Sequence, residues 1–450
     1  MNLQKIKFLI KQKKFKDALD LLLKIKKNNE NSLELFFYLG RSYSELNKYD
    51  LAIKNYIKAL KIKSESIACL LNLAIVYHNI GELDKARNNY LKIISLNKKC
   101  IQAYFGLYSL NNKFVTKEYF ENLFSFSEDK NFSLNDKSLI YFLLSKKEKQ
   151  NKNLQKEIYY LKKYHDQNYQ SNLNYNNQSQ FYYDKIISNK FDKIKFLDDH
   201  KKNSLPNFYP IFIVGLPRSG STLTESILTS TEQKLKTFGE SNFFNVCILE
   251  QMSSKIFNKN FEEKNFNFQI DLKILYKSIY EKYGLNNFKD NYIFIDKSLE
   301  NFFNIEIILK VFPNAKFIHT FRNLKDSFFS IFTSMLSELS WTHSIDSIDN
   351  YIFNYCNTLN FFKKKYPNKI LDLNLENLIF DTESVSKNIF KFLGFKWDPN
   401  SLNFYLRKDL FSKTISATQI RKKIDKNNQS NYKNYYELID DKQLKSEKFF

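Results

Sequence analysis

Residues 211–230 read IFIVGLPRSGSTLTESILTS. A short apolar run closes on a glycine, a dense turn follows, and an amphipathic stretch begins at Ser221. That order predicts strand, tight loop, helix. Gly215, Gly220 and Thr222 keep the spacing of the nucleotide phosphate loop G-x-x-x-x-G-K-[ST], yet Ser221 stands where the lysine belongs. Three of the chain's eight glycines fall between 215 and 239. Such a turn lets the backbone bend round an anion, with the amides of the helix start pointing inward.

Downstream the pattern repeats. YIFID (292–296) and KFIHTF (316–321) read as further strands, followed by helices over 299–311 and 324–337, with 221–230 as the helix after the first strand. This is the alternation of a parallel sheet with crossover helices, beginning near NSLPNFYP. Upstream the punctuation differs: no proline precedes Pro206, which permits helix after helix. A shift of 34 residues superposes Leu39, Gly40, Tyr43, Ala52 and Tyr56 on Leu73, Ala74, Tyr77, Ala86 and Tyr90, and Ala18 lies one period before Ala52. Small residues that let helices approach, alternating with large ones that fill the gap, resemble the tetratricopeptide repeat. The pattern decays after about residue 100; helices are expected to continue to about 198, with a polar loop over 166–180. The expected organisation is α plus α/β: tetratricopeptide-like helical repeats over 1–200, then a P-loop-like α/β domain with a central parallel sheet over 205–450.

The totals narrow the partners. The net charge of +22 comes from lysines spread along the whole chain, with six arginines only. It implies a general pull on anionic ligands and no nucleic-acid patch. Cys69, Cys100, Cys247 and Cys356 lie far apart, which excludes a zinc motif and a disulfide framework. No apolar run reaches the ~18 residues of a membrane span, and the start has no secretory pattern, so a cytoplasmic protein is expected. The repeats suit a protein or peptide partner, or a scaffold supporting a homodimer.

Four later segments make the loop specific. GLPRSGSTL (215–223) looks like the 5′-phosphosulfate loop of sulfotransferases. FPNAKFIHTFRNLKDSFFSIF (312–332) looks like their second signature, and DKSLENF (296–302) resembles a D-K-x-P-x-N-F segment of the members that carry tetratricopeptide repeats. LENLIFDTESVSKNIFKFLGFKWDP and TISATQIRKKI follow the same order near the end. The resemblance, related to tyrosylprotein sulfotransferases, implies 3′-phosphoadenosine 5′-phosphosulfate as co-substrate, no metal, and an unidentified hydroxyl or amine acceptor. It implies that Arg218, Ser219, Gly220, Ser221 and Thr222 hold the donor's 5′ end and that Arg322 and Ser330 hold its 3′-phosphate. Ser416, Arg421 and Lys422 are carried over as a segment closing on the donor. Glu240, in TFGESNFF, is the implied base, and Lys297 and Arg218 stabilise the transferring group. The sequence departs from the family at Asn323-Leu324, at Leu299 in place of proline, and at Tyr432 in place of tryptophan.

Two other readings fit the residues. One is a variant phosphate-loop phosphotransferase or nucleotide hydrolase, with Asp296 offered to a metal. The other is a repeat-based interaction protein whose second half is inactive. His319 lies mid-strand and reads as a core histidine rather than a base. His343, beside Trp341, is a candidate to approach an acceptor.

Overall fold

The computed structural model describes residues 2–27, 32–197, 208–231, 235–257, 267–285, 292–407, 423–424, 432–440 and 443–449. Two compact units result, one built on residues 1–167 and one on the chain from Asn168.

The first unit is a series of packed helices: Leu33–Glu45 with Tyr49–Ile62, Ile67–Ile80 with Leu83–Leu96, and then Ile101–Leu110 and Lys117–Glu128, each packed on Leu134–Gln150. The shorter pair Asn2–Lys11 and Phe15–Lys27 precedes them, as the position of Ala18 suggests. The 34-residue code is a packing code. Leu39, Ala52, Tyr56, Ala74, Ala86 and Tyr90 are all buried, and a methyl group on Gly40 would meet the Tyr56 ring at 2.7 Å. Ser32, Thr116 and Ser133 start their helices by accepting a backbone N–H three residues on, each satisfying one donor the first turn leaves open. Helix pairing persists beyond residue 100, through Leu134–Gln150 and Leu154–Ser171, although the small–large signature fades there.

The expected loop over 166–180 is helical instead, as Leu154–Ser171 and Leu173–Phe181. Its polar side chains explain this. Asn176 donates to the Tyr169 carbonyl at 2.9 Å, and the Tyr169 hydroxyl lies 2.8 Å from Asn177 Oδ1 and 3.0 Å from Gln180 Oε1, sharing its one proton between them. The asparagines and glutamines thus close a helical corner, whereas such composition ordinarily marks a loop. A π-helical turn, Tyr182–Ile187, follows. Leu173–Phe181 and this turn belong with the second unit: Gln180 donates to Ser347, and Asn350 to Asp184.

The second unit is α/β. Its strands are β1 (Lys195–Leu197), β2 (Tyr209–Gly215), β3 (Lys236–Thr237), β4 (Gln269–Asp271), β5 (Ile293–Asp296), β6 (Lys316–Phe321) and β7 (Ile370–Asn374). Five form one sheet in the order β3-β5-β2-β6-β7, every pair parallel, while β1 and β4 make a small parallel pair of their own. Helices cover both faces, so β2 is buried along nearly its whole length. Its alternate residues still divide between two cores. Ile211 and Ile213 pack with Ile227, Ile295, Ile318 and Ile389, and Phe212 faces Phe244 and Phe317 on the other side. The helix after β2 spans Ser221–Thr229, and the helix after β6 stops at Phe332, short of the expected 337. The segment after β5 begins as a 3-10 turn, Leu299–Asn304, before the α-helix Ile305–Val311. All parallel strands point their carboxyl ends to one edge. Gly215, Thr237, Asp296 and Phe321 end their strands there, which is where ligands bind in sheets of this kind.

Candidate active site

The loop after β2 is held by backbone approach. Gly215 has φ 149°, and a Cβ on it would lie 2.2 Å from the Thr320 carbonyl oxygen of β6. Only glycine passes there. The Ser219 hydroxyl donates to the Leu216 carbonyl at 2.7 Å and meets Thr320 Oγ1 at 2.8 Å. Its side chain therefore ties the loop to β6 and leaves the backbone N–H as its contribution to an anion. Gly220 (φ 90°) caps the helix Ser221–Thr229 with no side-chain cap bond, so the amides of the first turn remain for a ligand. Ser221 and Thr222 open that helix, each 6% exposed.

Arg218 sits inside the turn in the left-handed region, φ 69°, a conformation uncommon for a side-chain-bearing residue and enriched at ligand clamps. Burial pulls the pKa of its guanidinium down, Tyr432 opposes this, and the charge of Arg322 adds to the lowering. Arg322 follows β6 directly. Its Nη2 lies 3.3 Å from Asp326 and its Nε 4.0 Å from Glu376, and its guanidinium lies 5.8 Å from the Tyr432 ring. Two of six arginines thus come from adjacent strand ends to within electrostatic reach of one another. Like charges gathered in a half-desolvated place mark an anion site more strongly than either alone. Asn323 caps the next helix through Asp326 N–H, and Ser330 lies buried in that helix's last turn.

On the other side of the loop, Lys297 follows β5 and is 1% exposed. Its Nζ lies 2.6 Å from Glu240 Oε1 and 3.8 Å from Glu225 Oε2. Glu240 is half exposed and Glu225 only 14% exposed. The implied base and the implied charge-stabilising lysine are therefore in contact. Asp296 next to them is fully engaged: Oδ2 accepts from the Ser241 and Tyr283 hydroxyls, and Oδ1 from Ser298 N–H and Asn301. Four donors on one carboxylate make it a brace for the segment, not a ligand awaiting a metal.

Glu225 and Glu300 are the acidic groups that sequence reading passed over. Glu225 lies four residues after Ser221 and so on the same helix face, which was the available signal. Burial pushes its carboxyl up, against the pull of Lys297 and a hydrogen bond from Thr237. Glu300 accepts from the Tyr183 hydroxyl and from Asn245; burial raises its pKa, and the nearby Glu240 raises it further. His319 is a buried core histidine, held between Asp372 Oδ1 at 2.6 Å and the Tyr355 hydroxyl at 2.5 Å. His343 and Trp341 are buried too, Trp341 stacked on Tyr351 at 3.7 Å. Ser416, Arg421 and Lys422 lie outside the described residues. Among the described residues, no cluster of three or more His, Cys, Asp or Glu suits a metal, and no helix is long and apolar enough to cross a membrane.

Residues 210–399 match the profile of the Sulfotransferase family, and residues 40–81 match that of the TPR repeat. A protein of Aquifex aeolicus (strain VF5), carried as uncharacterized, is 27% identical over 243 residues, which is 52% of this chain and 32% of that protein. The chain thus spans about a third of that relative's length. Among solved structures, the sulfotransferase domain of the Synechococcus PCC 7002 olefin synthase is similar at 19% identity and TM-score 0.31, covering 52% of this chain and 89% of that one. The sulfotransferase domain from the curacin biosynthetic pathway gives 17%, 0.31, 50% and 89%. The likeness to that family is carried by residues 210–399 and not by these loose superpositions.

Proposed function

We propose that this chain, which carries a sulfotransferase-family domain behind tetratricopeptide repeats, moves a sulfuryl group from 3′-phosphoadenosine 5′-phosphosulfate to a hydroxyl or amine acceptor. The observation that carries the reading is the convergence of Arg218 and Arg322 at adjacent strand ends beside an amide-lined turn. The residues present fit such a donor. Gly215 and Gly220 let the turn close against the Thr320 carbonyl and the Leu375 side chain; Arg218 and the amides of Ser219 to Thr222 would hold one anionic end, and Arg322 with Ser330 the other. The phosphate-loop lysine is replaced by Ser221, in keeping with one phosphate and no bridging metal at the turn.

When bound, the donor supplies a sulfuryl group on a bisphosphate leaving group. Glu240, half exposed, takes the proton of the acceptor as its oxygen or nitrogen attacks sulfur. Lys297 and Arg218 place positive charge where the electron pair of the broken sulfur–oxygen bond settles. The remaining work is positioning. The phosphotransferase reading is disfavoured because the Asp296 carboxylate it needs for a metal is saturated by its own neighbours.

Calorimetry with 3′-phosphoadenosine 5′-bisphosphate and with magnesium–ATP separates these readings. The bisphosphate binds and ATP does not compete; preference for magnesium–ATP, or no binding of either, overturns the proposal. Glu240→Gln keeps bisphosphate affinity and slows sulfate release from labelled donor by about 10²–10⁴-fold, the ordinary worth of a general base.

A further inference from the structure

Lys297 stands between two carboxylates with unlike surroundings, and the reaction makes opposite demands on it. Engaged at 2.6 Å, Oε1 of Glu240 accepts from the ammonium, which leaves Oε2 alone for an acceptor's proton. Both oxygens of Glu240 come free only if Lys297 leaves it for the donor's leaving oxygen. Between leaving Glu240 and meeting the donor, the ammonium of a side chain 1% exposed needs a second protein carboxylate within reach, since an unpaired buried charge is costly.

The second anion is in place. Glu225 Oε2 lies 3.8 Å from Nζ, and its other oxygen accepts from the Thr237 hydroxyl. Thr237 Oγ1 in turn receives Gly239 N–H at 3.0 Å, and Lys297 N–H donates to the Gly239 carbonyl at 2.8 Å. These contacts close a ring: Lys297 backbone, Gly239, Thr237, Glu225, Lys297 ammonium. The ring fixes the turn that presents Glu240, the very next residue, and it is anchored on the helix Ser221–Thr229 that opens at the anion loop.

We propose that Glu225 is a positioning residue for the transfer: it keeps the Lys297 ammonium in place and charge-balanced when that group turns from Glu240 to the donor, and so frees Glu240 as base. The role rests on the sulfotransferase reading above. Without Glu225, the lysine has Glu240 as its one carboxylate in this set, and donor and base compete for it.

The test is a double-mutant cycle read by calorimetric affinity for 3′-phosphoadenosine 5′-bisphosphate, with Glu225→Gln chosen because an amide oxygen still accepts from Thr237. In the wild-type background Glu225→Gln weakens the bisphosphate by about tenfold, the size of a typical coupling between charges in contact. In the Glu240→Gln background, where no competing carboxylate remains, the same substitution leaves affinity unchanged or tightens it. Equal weakening in both backgrounds, or none in either, overturns the role of Glu225 while leaving the sulfotransferase reading intact. A wild-type protein that fails to bind the bisphosphate overturns both. Should Glu225→Gln not fold, Glu225→Asp carries the same cycle, its shorter reach giving a weakening of the same sign and smaller size.

Discussion

Gly40 in the repeat unit and Gly215 in the α/β unit are both glycines where a larger residue does not fit, for different reasons. At Gly40 the obstacle is the ring of Tyr56 at 2.7 Å, a side chain; at Gly215 it is the Thr320 carbonyl at 2.2 Å, backbone of a neighbouring strand. The repeat already contains the relaxed version of the first case, because Ala74 occupies the equivalent position one period later. No relaxed version of the second exists, since moving Thr320 means moving β6 within the sheet. The repeat unit therefore stores its fold in side-chain sizes and tolerates drift, and the α/β unit stores its site in backbone geometry and does not.

The sharpest break between the units is functional. Arg218→Ala and Arg322→Ala, each removing a charge-assisted anion contact, weaken bisphosphate binding by at least about 100-fold, or about 3 kcal/mol. Calorimetry measures this, and helical melting of the repeat unit stays where it was. Unchanged binding in both variants contradicts the placement of the anion site.

A second test compares the two glycines directly. Both tryptophans, Trp341 and Trp397, lie in the α/β unit, so tryptophan fluorescence reports that unit, whereas far-ultraviolet circular dichroism is dominated by helices of both. Gly215→Ala costs about 3 kcal/mol, combining a strained φ with a backbone clash, and lowers the fluorescence-detected midpoint. Gly40→Ala costs about 1 kcal/mol, overpacking against Tyr56 being partly offset by the better helix propensity of alanine. It lowers the circular-dichroism midpoint without moving the fluorescence one. Equal effects on both probes contradict the division of labour.

The same contrast explains what the sequence made legible. The repeat code is periodic, so Leu39, Ala52 and Tyr56 announce themselves by recurrence one period on. The anion loop is local and dense, so Gly215, Arg218 and Gly220 are visible as a motif, and the strands that flank it follow from their apolar runs. What escaped was relational. Glu225 is one glutamate among many until the fold sets it 3.8 Å from Lys297, and nothing in the text of residues 236–240 says that Thr237 links them. Ser219 reads as an anion contact, yet its hydroxyl is spent on Leu216 and Thr320, a choice settled by a strand a hundred residues away. The asparagine-rich stretch 166–180 reads as a loop because composition does not reveal which amides will satisfy one another.

The effect most widely shared among residues is an acid sensitivity of the α/β unit. His343 is buried, and burial lowers its pKa to about 4, the Ser337 backbone opposing only in part. Its folded value lies below its unfolded value near 6.5, so the neutral form is favoured by folding. The stability it contributes is complete above pH 6.5 and is lost as pH falls from there toward 4, up to about 3 kcal/mol at the full shift. His319, which burial also pulls down, adds loss of the same sign. Asp372 adds loss lower in the acid range: burial pushes it up, but His319 and Lys363 together outweigh this and hold it at about 2. The fluorescence midpoint of the wild type thus falls between pH 7 and 4.5. His343→Gln, which can keep a hydrogen bond to Ser337 without titrating, flattens that fall but does not abolish it. A midpoint that drops as steeply in the variant assigns the acid loss in this range to His319 instead, and removes His343 from the account.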